Sequence, residues 1–281
     1  MTLAQWLQQA QTQLASVSDS ARLDAELLLM HVLKCTRAYL FTWPEKPLTQ
    51  EQSQQLDVLL ERRLTGHPIA HITSEREFWG LALKVTADTL IPRPDTEILV
   101  EQALEKLSML ASPRIIDLGT GTGAIALALA SECPNATIYA LDQSDKALAV
   151  AQENGERLQL KVNWVHSDWF KKIDPQLKFD LIVSNPPYIE TDDPHLSQGD
   201  VRFEPISALT SGSDGLDDIR TICAQAPDYL NNGGWLMIEH GYNQKQAIQR
   251  IFLAAGFSDI HTQKDYGDND RVTLGRLTHP Y

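Results

Sequence analysis

Only three cysteines occur in 281 residues, Cys35, Cys133 and Cys223. They are scattered, odd in number and without metal-ligand spacing, so they read as reduced thiols of a cytoplasmic protein, with no metal expected. No apolar run approaches the ~18–20 residues that span a bilayer, and no membrane association is expected. The opening residues, Met1-Thr2-Leu3-Ala4-Gln5-Trp6, have neither the basic start nor the apolar core of a signal peptide. Positive charge is also short: 24 Lys and Arg against 37 Asp and Glu leave a net charge of −13. Proteins that grip nucleic acid broadly carry basic stripes that neutralise phosphates. Stable nucleic-acid binding is therefore not expected, and an acidic surface suits a basic protein partner or plain solubility. There is no internal repeat and no low-complexity tract.

What the chain does contain falls into two patterns. From Leu3 to Leu64 the apolar residues recur at helical spacing: Leu3, Trp6, Leu7, Ala10 and Leu14, then Leu23, Leu27, Met30 and Leu33, then Leu56, Leu59, Leu60 and Leu64. The third helix opens on a capping box, Thr49 with Gln52 three residues on, and Gly66-His67-Pro68 reads as its stop. An all-helical domain is expected over residues 1–75, with Arg22, Asp24 and Glu26 on a solvated face. Residues 76–94 change character. Phe78-Trp79 and the run 81–85 flank Gly80, which suggests a hairpin or extended linker, and it leads into Ile-Pro-Arg-Pro-Asp-Thr-Glu at 91–97.

Over residues 95–281 strands and helices alternate. Strands are expected at 114–118, 136–141, 162–166, 179–184 and 235–239, with helices at 123–132, 145–158, 216–230 and 244–255. Two extended segments, 258–263 and 271–277, close the chain around a turn at 267–270. This alternation predicts an α/β fold with a doubly wound, mostly parallel seven-stranded sheet, its last pair antiparallel.

The chemistry-bearing stretches fall at the ends of those strands. The first runs into Asp117-Leu118-Gly119-Thr120-Gly121-Thr122-Gly123, where glycines let the chain turn and let a ligand lie against bare backbone at a helix N-terminus. The spacing G-x-G-x-G is not that of a dinucleotide enzyme, and no Gly-Lys-Ser/Thr follows, which excludes a phosphate-gripping P-loop. Asp142 ends the second strand, where an acid reaches ribose hydroxyls or serves as a turn aspartate. Asp168 and Trp169 end the third, beside an adenine base or, for Trp169, in ordinary core. Asn185, Pro186, Pro187 and Tyr188 end the fourth. The two prolines have no N–H to donate and hold their predecessors extended, so this is a stiff loop showing an amide, free carbonyls and an aromatic ring. All four strand ends lie where ligands bind in such sheets.

This set of motifs resembles the class I S-adenosylmethionine-dependent methyltransferases with an Asn-Pro-Pro-Tyr loop. Within them the chain is most similar, over nearly its whole length, to the bacterial peptide chain release factor glutamine-N5 methyltransferases. The residues that carry the resemblance are 90–97, 117–123, 185–188 and Asp-Val-Arg-Phe-Glu-Pro at 200–205. The resemblance implies S-adenosyl-L-methionine as methyl donor, S-adenosyl-L-homocysteine as product and class 1 release factors as partners. The acceptor is then the glutamine of their Gly-Gly-Gln motif, and the helical domain recognises the substrate. It assigns Gly119, Thr120, Gly121, Thr122, Gly123, Asp142, Trp169 and Asn185 to the cofactor, and Asn185, Pro186, Pro187 and Tyr188 to the substrate. Asn185, Pro186 and Tyr188 are the expected catalytic residues. Two further substrates fit the same loop, a ribosomal protein glutamine and an adenine N6 of DNA or RNA. Arg93 and residues 200–205 either enclose the site or serve the structure through ion pairing and packing.

Overall fold

The structure, a computed structural model, describes residues 1–278; residues 279–281, the end of the predicted second domain, lie outside the described residues. Its contacts divide the chain into two units.

The first unit comprises Met1–Glu75 together with His195–Phe203. It contains helices α1 (Leu3–Leu14), α2 (Ala21–Leu33), α3 (Arg37–Thr42), α4 (Gln50–Leu64) and α5 (Ile69–Thr73). Capping boxes start α1 at Thr2 and α4 at Thr49, each with a glutamine three residues on. Leu3, Trp6, Ala10, Leu14, Leu28, Leu29, Leu56 and Leu60 interlock in its core. The short α3 and α5 were not expected. Thr36 caps α3 by accepting the Tyr39 N–H, and Pro68 stands at the N-cap of α5 rather than only ending α4.

The expected solvated face at 22–26 is corrected: Asp24 and Glu26 are buried. Arg63 Nε donates to Asp24 at 2.7 Å, and Arg37 and Arg22 donate to the two Glu26 oxygens at 2.6 and 3.0 Å. Burial raises the pKa of Glu26, but its two arginines outweigh that and hold it below the ordinary carboxylate value.

Within the same unit the segment 195–203 is held by side chains. Arg63 reaches Asp200 at 3.4 Å, the Phe203 ring lies 4.7 Å from that of His67, and Arg202 donates to the Thr65 carbonyl at 3.4 Å.

The second unit opens with the expected hairpin, β1 (Glu75–Phe78) and β2 (Leu81–Lys84), and continues into a seven-stranded sheet. Its strands are β3 (Arg114–Leu118), β4 (Thr137–Asp142), β5 (Asn163–His166), β6 (Phe179–Ser184), β7 (Leu230–Glu239), β8 (Phe257–Lys264) and β9 (Asp270–Leu277). The order β5-β4-β3-β6-β7-β9-β8 is parallel through β7, and β9 runs antiparallel to both its neighbours. This is the doubly wound sheet the alternation predicts.

Helices α6 (Glu97–Leu107) and α7 (Ala124–Glu132) pack on one face, against Ile115, Leu181 and Met237. Helices α9 (Asp217–Gln225) and α10 (Lys245–Ala254) pack on the other, against Ile116, Ile182 and Leu236. The alternation of Ile115 with Ile116 is the period-two pleat sending neighbours to opposite layers. The remaining helix, α8 (Asp145–Leu158), follows β4.

Two boundaries differ from expectation by more than one residue. Helix α9 ends at Gln225, where a 3₁₀ turn over Ala226–Asp228 carries Pro227. Strand β7 starts at Leu230, five residues early, because its first half is the polar run Asn231-Asn232-Gly233-Gly234 and its register against β6 shifts between Phe179 and Leu181.

Strand β3 pairs with β4 on one side and β6 on the other. The chain leaves β3 toward β4 and β5, then returns to lay β6 on the opposite side. That reversal opens a crevice beyond the carboxyl ends of β3, β4 and β6.

Candidate active site

A cavity of about 310 Å³ sits in that crevice, within the second unit. It falls in the size range of small-molecule sites, about 300–1,000 Å³. Gly119, Thr120, Gly121 and Thr122 line it after β3, Asp142, Gln143 and Ser144 after β4, Asp168 and Trp169 after β5, and Asn185 and Pro187 after β6. Gly123, Pro186 and Tyr188 are not on its wall: Gly123 is the N-cap of α7, Pro186 is buried, and the Tyr188 hydroxyl is turned to Glu239.

The glycine turn is fixed at both ends. Thr120 N–H donates to the Leu141 carbonyl at 2.8 Å, and Gly121 N–H donates to Asp142 Oδ2 at 2.9 Å. The other Asp142 oxygen accepts the Ser144 N–H at 2.9 Å. The residue expected at a ribose therefore also ties β4 to the turn. Burial pushes its pKa up, while the N–H groups of Ser144, Gly121 and Gln143 favour the carboxylate. Gly121 has a φ of +56° and nothing within 4 Å of where a Cβ would stand, so the backbone there is bare toward the cavity.

Beneath the turn lies a residue that sequence reasoning did not assign, Asp117. It is fully buried, accepts the Thr120 hydroxyl at 2.6 Å, and its Oδ1 has no hydrogen-bond partner. Burial lifts its pKa to about 7. An acid two residues before the first glycine of the turn was the available signal.

The Asn-Pro-Pro-Tyr loop is clamped from outside the cavity. Tyr188 and Ile189 N–H groups both donate to the Leu209 carbonyl, at 3.2 and 2.9 Å, and Gln244 Nε2 donates to the Tyr188 carbonyl at 2.9 Å. Gly215 passes so close that an added Cβ would stand 2.2 Å from the Tyr188 oxygen. At the start of the loop the Ser184 hydroxyl donates to the Leu118 carbonyl at 2.7 Å, joining β6 to β3.

Behind the loop is a buried polar group the sequence did not reveal. Asn185 Nδ2 donates to Thr96 Oγ1 at 3.4 Å, and the Tyr188 hydroxyl donates to Glu239 Oε1 at 3.5 Å. Burial raises the pKa of Tyr188, which keeps its phenol protonated. Burial also lifts Glu239 to about 7, against the Thr96 hydroxyl and Arg271, which favour its ionised form. Arg271 is itself held by Asp265 at 3.0 Å and lies 3.9 Å from Asp95.

The adjacent His240 is satisfied on both ring nitrogens. Nδ1 donates to the Gly241 carbonyl at 2.9 Å, so Nε2 accepts from Thr273 at 2.8 Å. Burial lowers its pKa to about 4, leaving a neutral imidazole. Arg93 lines the cavity and pairs with buried Glu204, whose second oxygen accepts the Ile91 N–H at 2.7 Å. Among the described residues there is no cluster of metal-ligand type, and no helix is long and apolar enough to cross a membrane.

The fold is that of the doubly wound methyltransferases. Residues 94–199 match the family described as methyltransferase small domain. A solved methyltransferase from Pyrococcus furiosus is similar in fold over 78% of this chain and 98% of its own, with a TM-score of 0.53 at 18% identity. Residues 5–73 match the PrmC N-terminal domain. Release factor glutamine methyltransferases of Escherichia coli and Vibrio cholerae are each 52% identical to this chain. The first aligns over 98% of this chain and 99% of its own length, the second over 93% and 91%. The chain belongs to the release factor glutamine methyltransferase family.

Proposed function

We propose that the chain transfers a methyl group from S-adenosyl-L-methionine to the side-chain amide nitrogen of the glutamine in the Gly-Gly-Gln motif of class 1 release factors. The observation that carries this is the position of Asn185, which lines the same cavity as the glycine turn. An amide placed there has a use in positioning an acceptor NH₂, which a pure binding protein would not need.

The cavity suits an adenosyl amino acid. The bare backbone at Gly121, the acid at Asp142 and the Trp169 ring together offer partners for a backbone-hugging chain, a ribose and a flat base. When bound, this cofactor supplies an electrophilic sulfonium methyl group and leaves as S-adenosyl-L-homocysteine.

The rest is the protein's task. The lone pair of a glutamine amide is delocalised, so the nitrogen is a poor nucleophile. The clamped loop has two acceptors for the two N–H bonds of the acceptor, Asn185 Oδ1 and the Pro186 carbonyl. Holding the nitrogen in line can contribute up to ~7–11 kcal/mol in favourable cases. The same acceptors favour the positive charge that builds on nitrogen as the new bond forms, a preference for the transition state over the ground state. Pro186 and Pro187 keep the carbonyl direction fixed, and Tyr188 braces the loop. The proton leaves after alkylation, when the nitrogen is acidic.

The same reading gives the first unit the task of recognising the release factor body. Three free thiols suit a reducing cytoplasm as the setting.

The test is labelled methyl transfer onto purified release factors, onto the same proteins with the motif glutamine replaced, and onto DNA. Label should appear on the first alone. Label on DNA and none on release factor would overturn the reading in favour of an adenine methyltransferase, for which the net charge of −13 is poorly suited.

A further inference from the structure

The stretch at 76–94 reads in sequence as a hairpin or linker, yet Ala87, Asp88, Thr89 and Leu90, just beyond the end of β2, stand on the cavity wall. The glycine turn supplies another part of that wall. Glycine backbone is conformationally permissive, so a turn that offers it to a ligand has to be fixed from behind. On the β4 side the Thr120 and Gly121 N–H groups do this.

The remaining tie comes from Asn154, in α8. Its side chain is fully buried. Oδ1 accepts the Lys84 N–H at 2.7 Å, and Nδ2 donates to the carbonyls of Lys84 and Thr122, each at 3.0 Å. Lys84 is the last residue of β2, and Thr122 is the wall residue that closes the glycine turn. Only one orientation of the amide makes these bonds. Turned over, it would set its NH₂ against the Lys84 N–H and its oxygen against two carbonyls. A buried polar group with every bond made is rigid.

From Lys84 the chain passes buried Val85 and a turn in which Thr86 Oγ1 accepts the Asp88 N–H at 3.2 Å. It then forms wall, and is tied again where the Ile91 N–H donates to Glu204 at 2.7 Å. One carboxamide thus joins the start of this segment to the glycine turn.

We propose that Asn154 is a positioning residue for the cofactor, holding the glycine turn at a fixed distance from the wall at 87–90 and so setting the width of the cavity. It does not itself stand on the wall. The inference rests on the reading of the cavity as an S-adenosyl-L-methionine site, and it gives the hairpin a part in that site.

The experiment compares Asn154→Leu, and the milder Asn154→Ser, whose side chain is too short to span both walls, with Phe252→Leu in the full-length protein. Phe252 is buried in the core away from the cavity wall, and its variant is the destabilised control. Urea unfolding gives the stability lost by each. Calorimetry gives the affinity of the folded proteins for S-adenosyl-L-homocysteine, with the wild-type value as reference and as a separate check of the cofactor reading. Hydrogen exchange of the ligand-free proteins reports the turn without any cofactor.

Both Asn154 variants should bind about 10-fold more weakly, equivalent to about 1.4 kcal/mol, because binding must then order the turn as well as the ligand. KM for S-adenosyl-L-methionine should rise by a similar factor, while KM for release factor and kcat at saturating cofactor stay within about 3-fold. Exchange should quicken over residues 118–123 and not over 179–184. Phe252→Leu should lose stability and keep its affinity, which separates positioning from a merely structural role. The proposal is overturned if the folded Asn154 variants bind as the wild type does, or if Phe252→Leu at a matched loss of stability binds equally weakly. Unchanged exchange over 118–123 overturns it whatever the wild-type protein binds.

Discussion

Asp117 is a fully buried carboxyl whose ionisation the fold opposes, and replacing it by asparagine should remove part of the pH dependence of stability. The carboxyl lies under the glycine turn with one oxygen on the Thr120 hydroxyl and the other unpartnered. Burial moves its pKa from 3.8 to about 7. In the unfolded chain it ionises near its ordinary value, whereas in the fold it keeps its proton until about pH 7. A group whose folded pKa is raised contributes stability at acid pH that is lost as pH climbs through the folded pKa. At ~1.36 kcal/mol per unit, the full penalty above that pH is about 4 kcal/mol, and roughly 2–3 kcal/mol of it develops between pH 5 and pH 8.

Asparagine cannot ionise. Whatever its amide costs in this pocket is nearly the same at both pH values and cancels in the difference. Urea unfolding of wild type and Asp117→Asn at pH 5 and pH 8 therefore isolates the ionisation. Between the two pH values the stability difference should move in favour of the variant by about 2–3 kcal/mol. A difference that stays constant would refute the view that this carboxyl is protonated in the fold and strained when ionised.

Asn185→Ala removes one of two acceptors and should lower kcat about 10²- to 10³-fold, the range for losing one preorganised hydrogen-bonding group; retained methylation sinks its assignment. Gly215→Ala would drive a methyl group into the Tyr188 carbonyl at 2.2 Å, so activity should collapse while the glycine turn still binds S-adenosyl-L-homocysteine, as calorimetry would show. In the first unit Arg63→Ala leaves buried Asp24 without its cation, held only by the Ser18 and Ser20 hydroxyls, and a loss of up to about 3–5 kcal/mol in urea unfolding is expected for breaking a buried pair.

The sheet was legible because its central strands are dense apolar runs with turn chemistry at their ends. Phe179–Ser184 and Arg114–Leu118 stand where the pattern puts them. The parts that were not legible have no such period. Helices of five or six residues, α3 and α5, complete too few turns to show a face. The first half of β7 is polar because its Gly233-Gly234 step runs through a register shift.

Asp24 and Glu26 were read as surface because sequence does not show which arginines converge on them. Arg63 lies 39 positions from Asp24, and its approach is a matter of packing. The same holds at the site. Residues 185–188 and 119–123 announce themselves by composition, whereas Thr96 and Glu239 sit 89 and 51 positions from the residues they touch. What distinguishes Glu239 is its burial, which no local pattern records.

The contribution of His195–Phe203 to the first unit has a consequence for how this chain is made. More than a hundred residues separate Glu75 from His195. At ~5–20 residues per second, a ribosome takes on the order of ten seconds to bridge them. During that interval the helices are out but Arg63 has no Asp200, and His67 has no Phe203 to cover it. The unit synthesised first is among the last to be completed. A fragment cut after Glu75 would stay permanently in that state, so an isolated helical unit needs residues 195–203 grafted back before its stability or its binding can be compared with that of the whole protein.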